Sequence, residues 1–477
     1  MTRKGIVEAL IAIVGKDGIL VSGDCNTYES DHRKLYRGRA HCVVRPTTTA
    51  EVSAVVRTCA EHRVSMVPYG GNTSYCGGAT PDTSGEQVVI SLERLRIIRH
   101  IDPIGGTLTA EAGCTLHNVR EAASSVGRRF PLSLGSQGSC QIGGNISTNA
   151  GGTQVLRHGM IRQLVLGLEV VLPDGSVLDQ LRQLRKDNTG YDVKQLFIGA
   201  EGTLGIVTAA SLRIFPESHV SLTALVAVDS LESTLRLLSC IQQSFGDLIE
   251  TFEYMPNNAI ALARKHFPKS PYPFNASHPA MVLIEMPVPP ALKFSEQAFT
   301  EFLASQLESG RIRDVALAQS SAQAEAFWSL RENIPAAQSR EGASLKHDVS
   351  LPLNRLVEFE SRGADLIDRL IPGGRSIGYG HAGDGNLHYN ISPPAGTHPN
   401  SAEESAFLAK KEPLMRAIHD LVSELDGSFS AEHGIGQLKV AELERYEDPV
   451  AIDLMRRIKY ALDPYQLMNP GKVIGPP

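Results

Sequence analysis

The stretch GYGHAGDGNLHYNI, residues 378–391, sets two histidines, His381 and His388, among asparagines and glycines. Read as a strand, Asn386–Ile391 turns Leu387, Tyr389 and Ile391 to one face and Asn386, His388 and Asn390 to the other. The first face can pack into a core; the second gathers an imidazole and two amides. His381 lies in the glycine-rich turn before the strand, where it can come alongside His388. FSAEHGIGQLK supplies a third group, with Glu432 and His433 just ahead of another glycine turn. Two imidazoles and one carboxylate make an open divalent-cation site with room for a substrate. The spacing is neither HExxH nor that of a zinc finger, so either histidine taken singly reads as a hydrogen-bonded core residue. Asp384 reads as a turn-former rather than a ligand.

Three glycine-rich loops form a second group of chemistry-bearing segments. PYGGNTSYCGG, residues 68–78, directly follows an apolar strand. Its paired glycines let backbone N–H groups face an anion, and Thr73 and Ser74 add hydroxyls, as a pyrophosphate requires. Alone, it reads equally well as a tight turn without a ligand. GSQGSCQIGGNISTNAGG, residues 135–152, and KDNTGYDVKQLFIGAEGTLGIVT, residues 186–208, repeat the pattern. Neither of the first two loops matches GxGxxG opening a helix, which disfavours a Rossmann site. Three such loops can surround an extended ligand with a phosphate middle and a planar end.

The elements that must hold these loops are mixed. HCVVRPTTTAEVSAVVRTCAEHRVSMVPYGG reads strand, helix, strand, loop, a parallel βαβ unit. Thr48 and Glu51 form a capping-box pattern, and Val52, Val55, Val56 and Cys59 recur on one helical face. Strands follow at 88–90 and 107–112, and residues 164–178 read as a hairpin turning at Pro173-Asp174-Gly175. A strand over 206–215 stops at Pro216. From about residue 218 the order becomes strand (TALVAV), helix (231–245), strand (248–253), strand (MVLIEM), helix (294–307) and strand (311–318), close to a ferredoxin-like β-α-β-β-α-β unit. The expectation is an α+β protein with a first domain over 1–217, a cap domain over 218–427 and a C-terminal segment over 428–477.

A chain of 477 residues is too long for one core. A net charge of −6 gives no electrostatic footprint for nucleic acid or an anionic membrane surface. Seven scattered cysteines without a CxxC pair read as reduced thiols, hence a cytoplasmic location. MTRKGIVEALIAIVGKDG reads as an amphipathic helix, because Glu8 interrupts its apolar run and no small-residue cleavage site follows. No segment has the length of a membrane span.

With these stretches in view, the chain resembles the vanillyl-alcohol oxidase superfamily with its PCMH-type FAD-binding domain. Within it, the similarity is to the D-2-hydroxyacid dehydrogenases, and it covers nearly the whole chain, including the tail around Asn469-Pro470-Gly471-Lys472. The resemblance implies FAD as cofactor. Gly70, Gly71, Asn72, Thr73 and Ser74 would hold the pyrophosphate, and Ser139, Gly143, Gly144 and Ser147 would line the ribityl and ring side. Glu201 and Ile206 would lie on the adenosine side, with Asn469 completing the site. Members that bind flavin covalently often use a histidine in the first glycine loop; Asn72 stands there, so a dissociable flavin is expected. The resemblance also implies that His381, His388 and Glu432 hold a divalent metal, zinc first, with manganese and cobalt suiting the same ligands. His433 would be the base and Asn390 would touch the substrate.

A 2-hydroxy acid can chelate such an ion through its hydroxyl and one carboxylate oxygen. It would leave as the 2-oxo acid after proton and hydride removal. In relatives acting on D-2-hydroxyglutarate, positions matching Arg331 and Lys346 contact the distal carboxylate, a charge-assisted pairing. Some of those relatives have threonine where this chain has Pro335, which offers neither hydroxyl nor N–H. D-2-hydroxyglutarate is the first expectation, with D-lactate and D-malate as alternatives. A flavin oxidase using dioxygen, a flavin subunit inactive outside an electron-transfer complex, and a non-catalytic metal-binding protein are the competing classes. An electron-transferring flavoprotein, a quinone or a cytochrome would accept the electrons, and a homodimer is the expected assembly.

Overall fold

The computed structural model describes residues 3–218, 220–288 and 294–475. The described residues form two compact units, one from residues 3–152, 159–217 and 432–475, the other from 153–158, 218 and 220–431 except 289–293. No helix among the described residues is long and apolar enough to cross a membrane.

In the first unit, strand Ala40–Val44, helix Thr49–Glu61 and strand Met66–Tyr69 form the expected parallel unit. The two strands are not neighbours. Gln87–Ser91 lies between them and pairs in parallel with both. The helix begins where Thr48 accepts the Glu51 N–H. The Glu51 carboxylate reaches back to the N–H of Thr47 (2.7 Å), one residue beyond a standard capping box. Val52, Val55, Val56 and Cys59 are fully buried against that sheet and against Ile6 and Leu10 of the N-terminal helix Arg3–Val14.

A second sheet is antiparallel, in the order Ile98–Asp102, Thr107–Glu111, Ile206–Arg213, Val165–Val171, Val177–Gln180. Its hairpin turns at Pro173-Asp174-Gly175, with Leu172 and Ser176 bonded across (2.9 Å). The strand from Ile206 ends at Arg213. Phe215–Pro216 then pairs separately with Arg128–Arg129, because proline has no N–H to continue a central ladder.

The second unit is built on an antiparallel sheet ordered Thr251–Pro256, Ala280–Val288, Val220–Val228, Asp314–Leu317. That is the ferredoxin-like order, with Leu231–Phe245 and Phe294–Glu308 as its helices. Strand alternation divides the sheet. Ala224, Val226, Val282 and Ile284 pack under Leu237, Leu238, Ile241, Phe299 and Leu303. Leu225, Ala227, Met281 and Leu283 face the other way, toward two further helices. One of these, Asn257–His266, lies in the connection between strands Thr251–Pro256 and Ala280–Val288; the other is Ser321–Glu341. The strand expected from Leu248 begins instead at Thr251, because Gly246–Leu248 coils into a short helical turn. A three-stranded antiparallel sheet, Asp348–Ser350, Asn386–Ser392, Arg375–Tyr379, completes the unit.

Candidate functional site

The first glycine loop leaves strand Met66–Tyr69 and meets the second at once. A Cβ on Gly71 would lie 2.1 Å from the carbonyl oxygen of Ser139, so only glycine fits. Asn72 takes a left-handed conformation (φ 51°), held by its side-chain bond to the Ser30 carbonyl (2.8 Å). Thr73 and Ser74 continue the loop, half-buried. In the second loop, Ser139 closes a turn and a short helix, Ile142–Ser147, begins at the paired glycines. The Gly143 N–H is spent on Ala112 (2.8 Å), whereas Gly144 borders open space. A Cβ on Gly70 would stand 3.7 Å from both Gly144 Cα and Gln141 Oε1. That Gln141 oxygen is buried and has no partner among the described residues. Facing glycines beside an unspent acceptor fit a flavin carrying hydroxyl and imide donors.

The third loop brings Glu201, also left-handed (φ 51°), with its N–H on the Ser147 carbonyl (2.7 Å). Its carboxylate accepts the N–H groups of Ile435 (2.7 Å) and Gly436 (2.8 Å), just past His433. Burial pushes the Glu201 carboxyl up even though these two bonds pull it down. Cys76 and Gln437 tie the same turn to the first loop: Cys76 Sγ to the Gly434 carbonyl (3.3 Å) and Gln437 N–H to the Cys76 carbonyl (2.9 Å). His433 stands edge-on to Tyr75 (4.7 Å between ring centres), whose ring also carries the Arg33 guanidinium at 4.3 Å. Asn469 staples the arrangement through bonds to the carbonyls of Gly78 (3.0 Å) and Glu201 (2.8 Å). Ile206 is 1% exposed and packs in the apolar cluster with Met66, Val171 and Met468.

In the second unit, Leu387, Tyr389 and Ile391 are buried in the core, leaving His388 and Asn390 on the polar face. The His381 and His388 rings lie 5.4 Å apart between centres, at 76°. His381 Nδ1 contacts Glu253 Oε1, and the other oxygen, Oε2, accepts Nε–H of Arg331 at 2.6 Å. Burial opposes charge on Glu253, but His381 and Arg331 outweigh it and hold its carboxyl at about 2. A carboxylate behind an imidazole is the usual support of a metal-binding histidine, because it leaves Nε2 to face a cation. The His381 imidazole, backed by Glu253, and the His388 imidazole beside it have the chemistry of divalent-ion ligands. Ala431 ends the unit with its N–H on the Asp348 carbonyl (3.3 Å), and Glu432 is the next residue in the chain.

Arg331 lies buried in helix Ser321–Glu341 with its guanidinium 4.9 Å from the centre of the Tyr379 ring. Pro335, inside that helix, has no N–H for the Arg331 carbonyl, its normal i−4 acceptor. Lys346 is exposed and sits just before strand Asp348–Ser350. Asn390 donates to Gln338 (2.9 Å), whose own amide nitrogen is buried without a partner among the described residues. Asp384 caps its turn by accepting the Asn386 N–H (3.2 Å), and burial pushes its carboxyl up to about 6. Glu253 and Gln338 escaped the sequence reading. A lone acid in the apolar strand TFEYMP and a glutamine seven residues past Arg331 on one helix were the available signals.

Comparison with known proteins gives concordant matches. The family described as FAD linked oxidases, C-terminal domain, matches residues 217–473, and that described as FAD binding domain matches 40–180. The D-2-hydroxyglutarate dehydrogenase, mitochondrial, of Arabidopsis thaliana is 39% identical over 450 residues, 94% of this chain and 77% of that protein. Its Bos taurus counterpart is 38% identical over 445 residues, 93% of this chain and 78% of that one. The structure of p-cresol methylhydroxylase with substrate bound superposes with a TM-score of 0.76 at 15% identity, covering 99% and 97% of the two chains, which shows the expected fold. The mitochondrial names overturn the cytoplasmic expectation. Reduced thiols exclude oxidising compartments, but a mitochondrial matrix keeps thiols reduced as the cytosol does, so cysteine usage could not choose between them.

Proposed function

Because the chain belongs to the FAD-linked oxidase family that includes the D-2-hydroxyglutarate dehydrogenases, we propose that it oxidises D-2-hydroxyglutarate to the 2-oxo acid. The observation that carries this reading is the shared carboxylate of Glu253. It ties a buried arginine, suited to a distal carboxylate, to a histidine suited to a cation. FAD would supply the hydride acceptor, and His381, His388 and Glu432 would hold a divalent cation, zinc first, which would supply Lewis-acid stabilisation of negative charge on the substrate oxygen.

The chain's own residues do the rest. Arg331 binds the distal carboxylate with a charge-assisted pair, and exposed Lys346 adds a second cation. Asn390 donates one amide N–H to Gln338 and presents its second N–H to a substrate oxygen. His433 takes the hydroxyl proton, and Tyr75 limits the tilt of its ring. Glu201 holds the turn after His433 against the glycine loops through two backbone N–H bonds. Those loops, Gly70–Ser74 and Ser139–Ser147, grip the dinucleotide without a covalent bond, since Asn72 offers no nucleophile.

Pro335 favours a second reading. Without a hydroxyl or N–H at that position, a shorter acid, D-malate or D-lactate, competes for the same site. A dye-reduction screen of D- and L-2-hydroxy acids tests both. Fastest turnover on D-2-hydroxyglutarate supports the first; a preference for D-malate or D-lactate supports the second. L-acids alone, or no turnover, would sink both.

A further inference from the structure

The geometry points to Glu253 as a positioning residue that couples the cation-binding histidine to the arginine reading the substrate's far end. This rests on the reading above, in which His381 takes a cation and Arg331 a carboxylate. Glu253 sits mid-strand between Phe252 and Tyr254, which face the core beneath helices Leu231–Phe245 and Phe294–Glu308. Alternation turns Glu253 to the opposite side. There Arg331 arrives from helix Ser321–Glu341, and His381 from the turn after Arg375–Tyr379.

The carboxylate is 1% exposed. A charge buried that deeply is costly unless its lone pairs are met by strong donors. It has two, one on each oxygen: Nδ1 of His381 on Oε1 and Nε of Arg331 on Oε2. The bond to Nδ1 fixes the His381 tautomer and ring plane, leaving Nε2 for the cation. The bond to Nε fixes the plane of the guanidinium. Both oxygens belong to one rigid group, so a rotation that improves one contact degrades the other. Loss of Arg331 should therefore disturb the cation site. A neutral side chain at 253 should damage cation binding and dicarboxylate preference together.

The test uses the flavin-loaded full chain with two variants, Glu253→Gln and Arg331→Met. Affinity for Co²⁺ and Zn²⁺ is read by competition with a chromophoric chelator, and retained flavin absorbance reports folding. Glu253→Gln is expected to weaken cation binding about 10–100-fold. At saturating cation it should also lower the ratio of kcat/KM for D-2-hydroxyglutarate to that for D-lactate. Arg331→Met, which changes none of the proposed ligands, is expected to weaken cation binding severalfold. Wild-type cation affinity in folded Arg331→Met overturns the coupling, whatever Glu253→Gln does. Wild-type affinity and substrate ratio in folded Glu253→Gln overturn it too. A wild-type chain that binds neither cation overturns the cation site itself, a different failure visible before any variant is made.

Discussion

Replacing Arg331 by methionine removes a cation while keeping an unbranched side chain of similar reach. Arg331 is 8% exposed, so water screens it little, whereas Lys346 is exposed and its pairing is worth less. Arg331 should thus carry most of the discrimination between a dicarboxylate and lactate. A hydrogen bond to a charged partner is worth about 1.5–3 kcal/mol. At roughly 1.4 kcal/mol per tenfold, the ratio of kcat/KM for D-2-hydroxyglutarate to that for D-lactate should fall about 10- to 150-fold. Any disturbance reaching His381 through Glu253 acts on both substrates and cancels in the ratio. The assay is steady-state dye reduction with each acid at saturating cation. Equal losses on both acids, or a larger loss on lactate, would refute the assignment of Arg331 to the distal carboxylate.

Two further predictions concern the first unit. Acid precipitation should release all the yellow colour to the supernatant, because Asn72 offers no nucleophile to the flavin; colour retained in the pellet contradicts this. Glu169 joins Thr49, Arg99 and Thr208. Burial works against its charge, yet those partners hold its carboxyl below the usual 4.5. Its stabilisation is therefore present above that value and lost as pH falls through the lowered one. In urea unfolding, Glu169→Gln should cost about 1.5–3 kcal/mol at neutral pH. The gap from wild type should close below pH 4.5, and a gap that widens there would reverse the assigned sign.

Local order was the most legible part of this chain. The helix Thr49–Glu61, the turn at Pro173-Asp174-Gly175 and the alternating strand Asn386–Ser392 rest on periodicity and turn chemistry within a few residues. The ferredoxin-like order was readable from the succession of elements, but helix Asn257–His266 was not, because Pro256 before it reads as a break. Pairings between distant residues were invisible. Glu253 meets residues 78 and 128 positions away, and Glu201 reaches Ile435, 234 positions on. Insertion of strand Gln87–Ser91 between the two strands of the βαβ unit is likewise a tertiary choice that no local pattern announces. The candidate histidines could be named from sequence and resemblance. The support of His381 by Glu253, and of the turn after His433 by Glu201, came only from the structure.

Cation-dependent reduction of the flavin is the most direct consequence of the proposed site. The wild-type enzyme, metal content measured before and after treatment with a chelator, is mixed anaerobically with D-2-hydroxyglutarate while the visible flavin band is followed. Rapid bleaching of the metal-loaded protein, its loss after stripping and its return on adding Zn²⁺, Mn²⁺ or Co²⁺ are the predicted results. Undiminished bleaching by protein stripped of all divalent metal would contradict the proposed site at His381, His388 and Glu432.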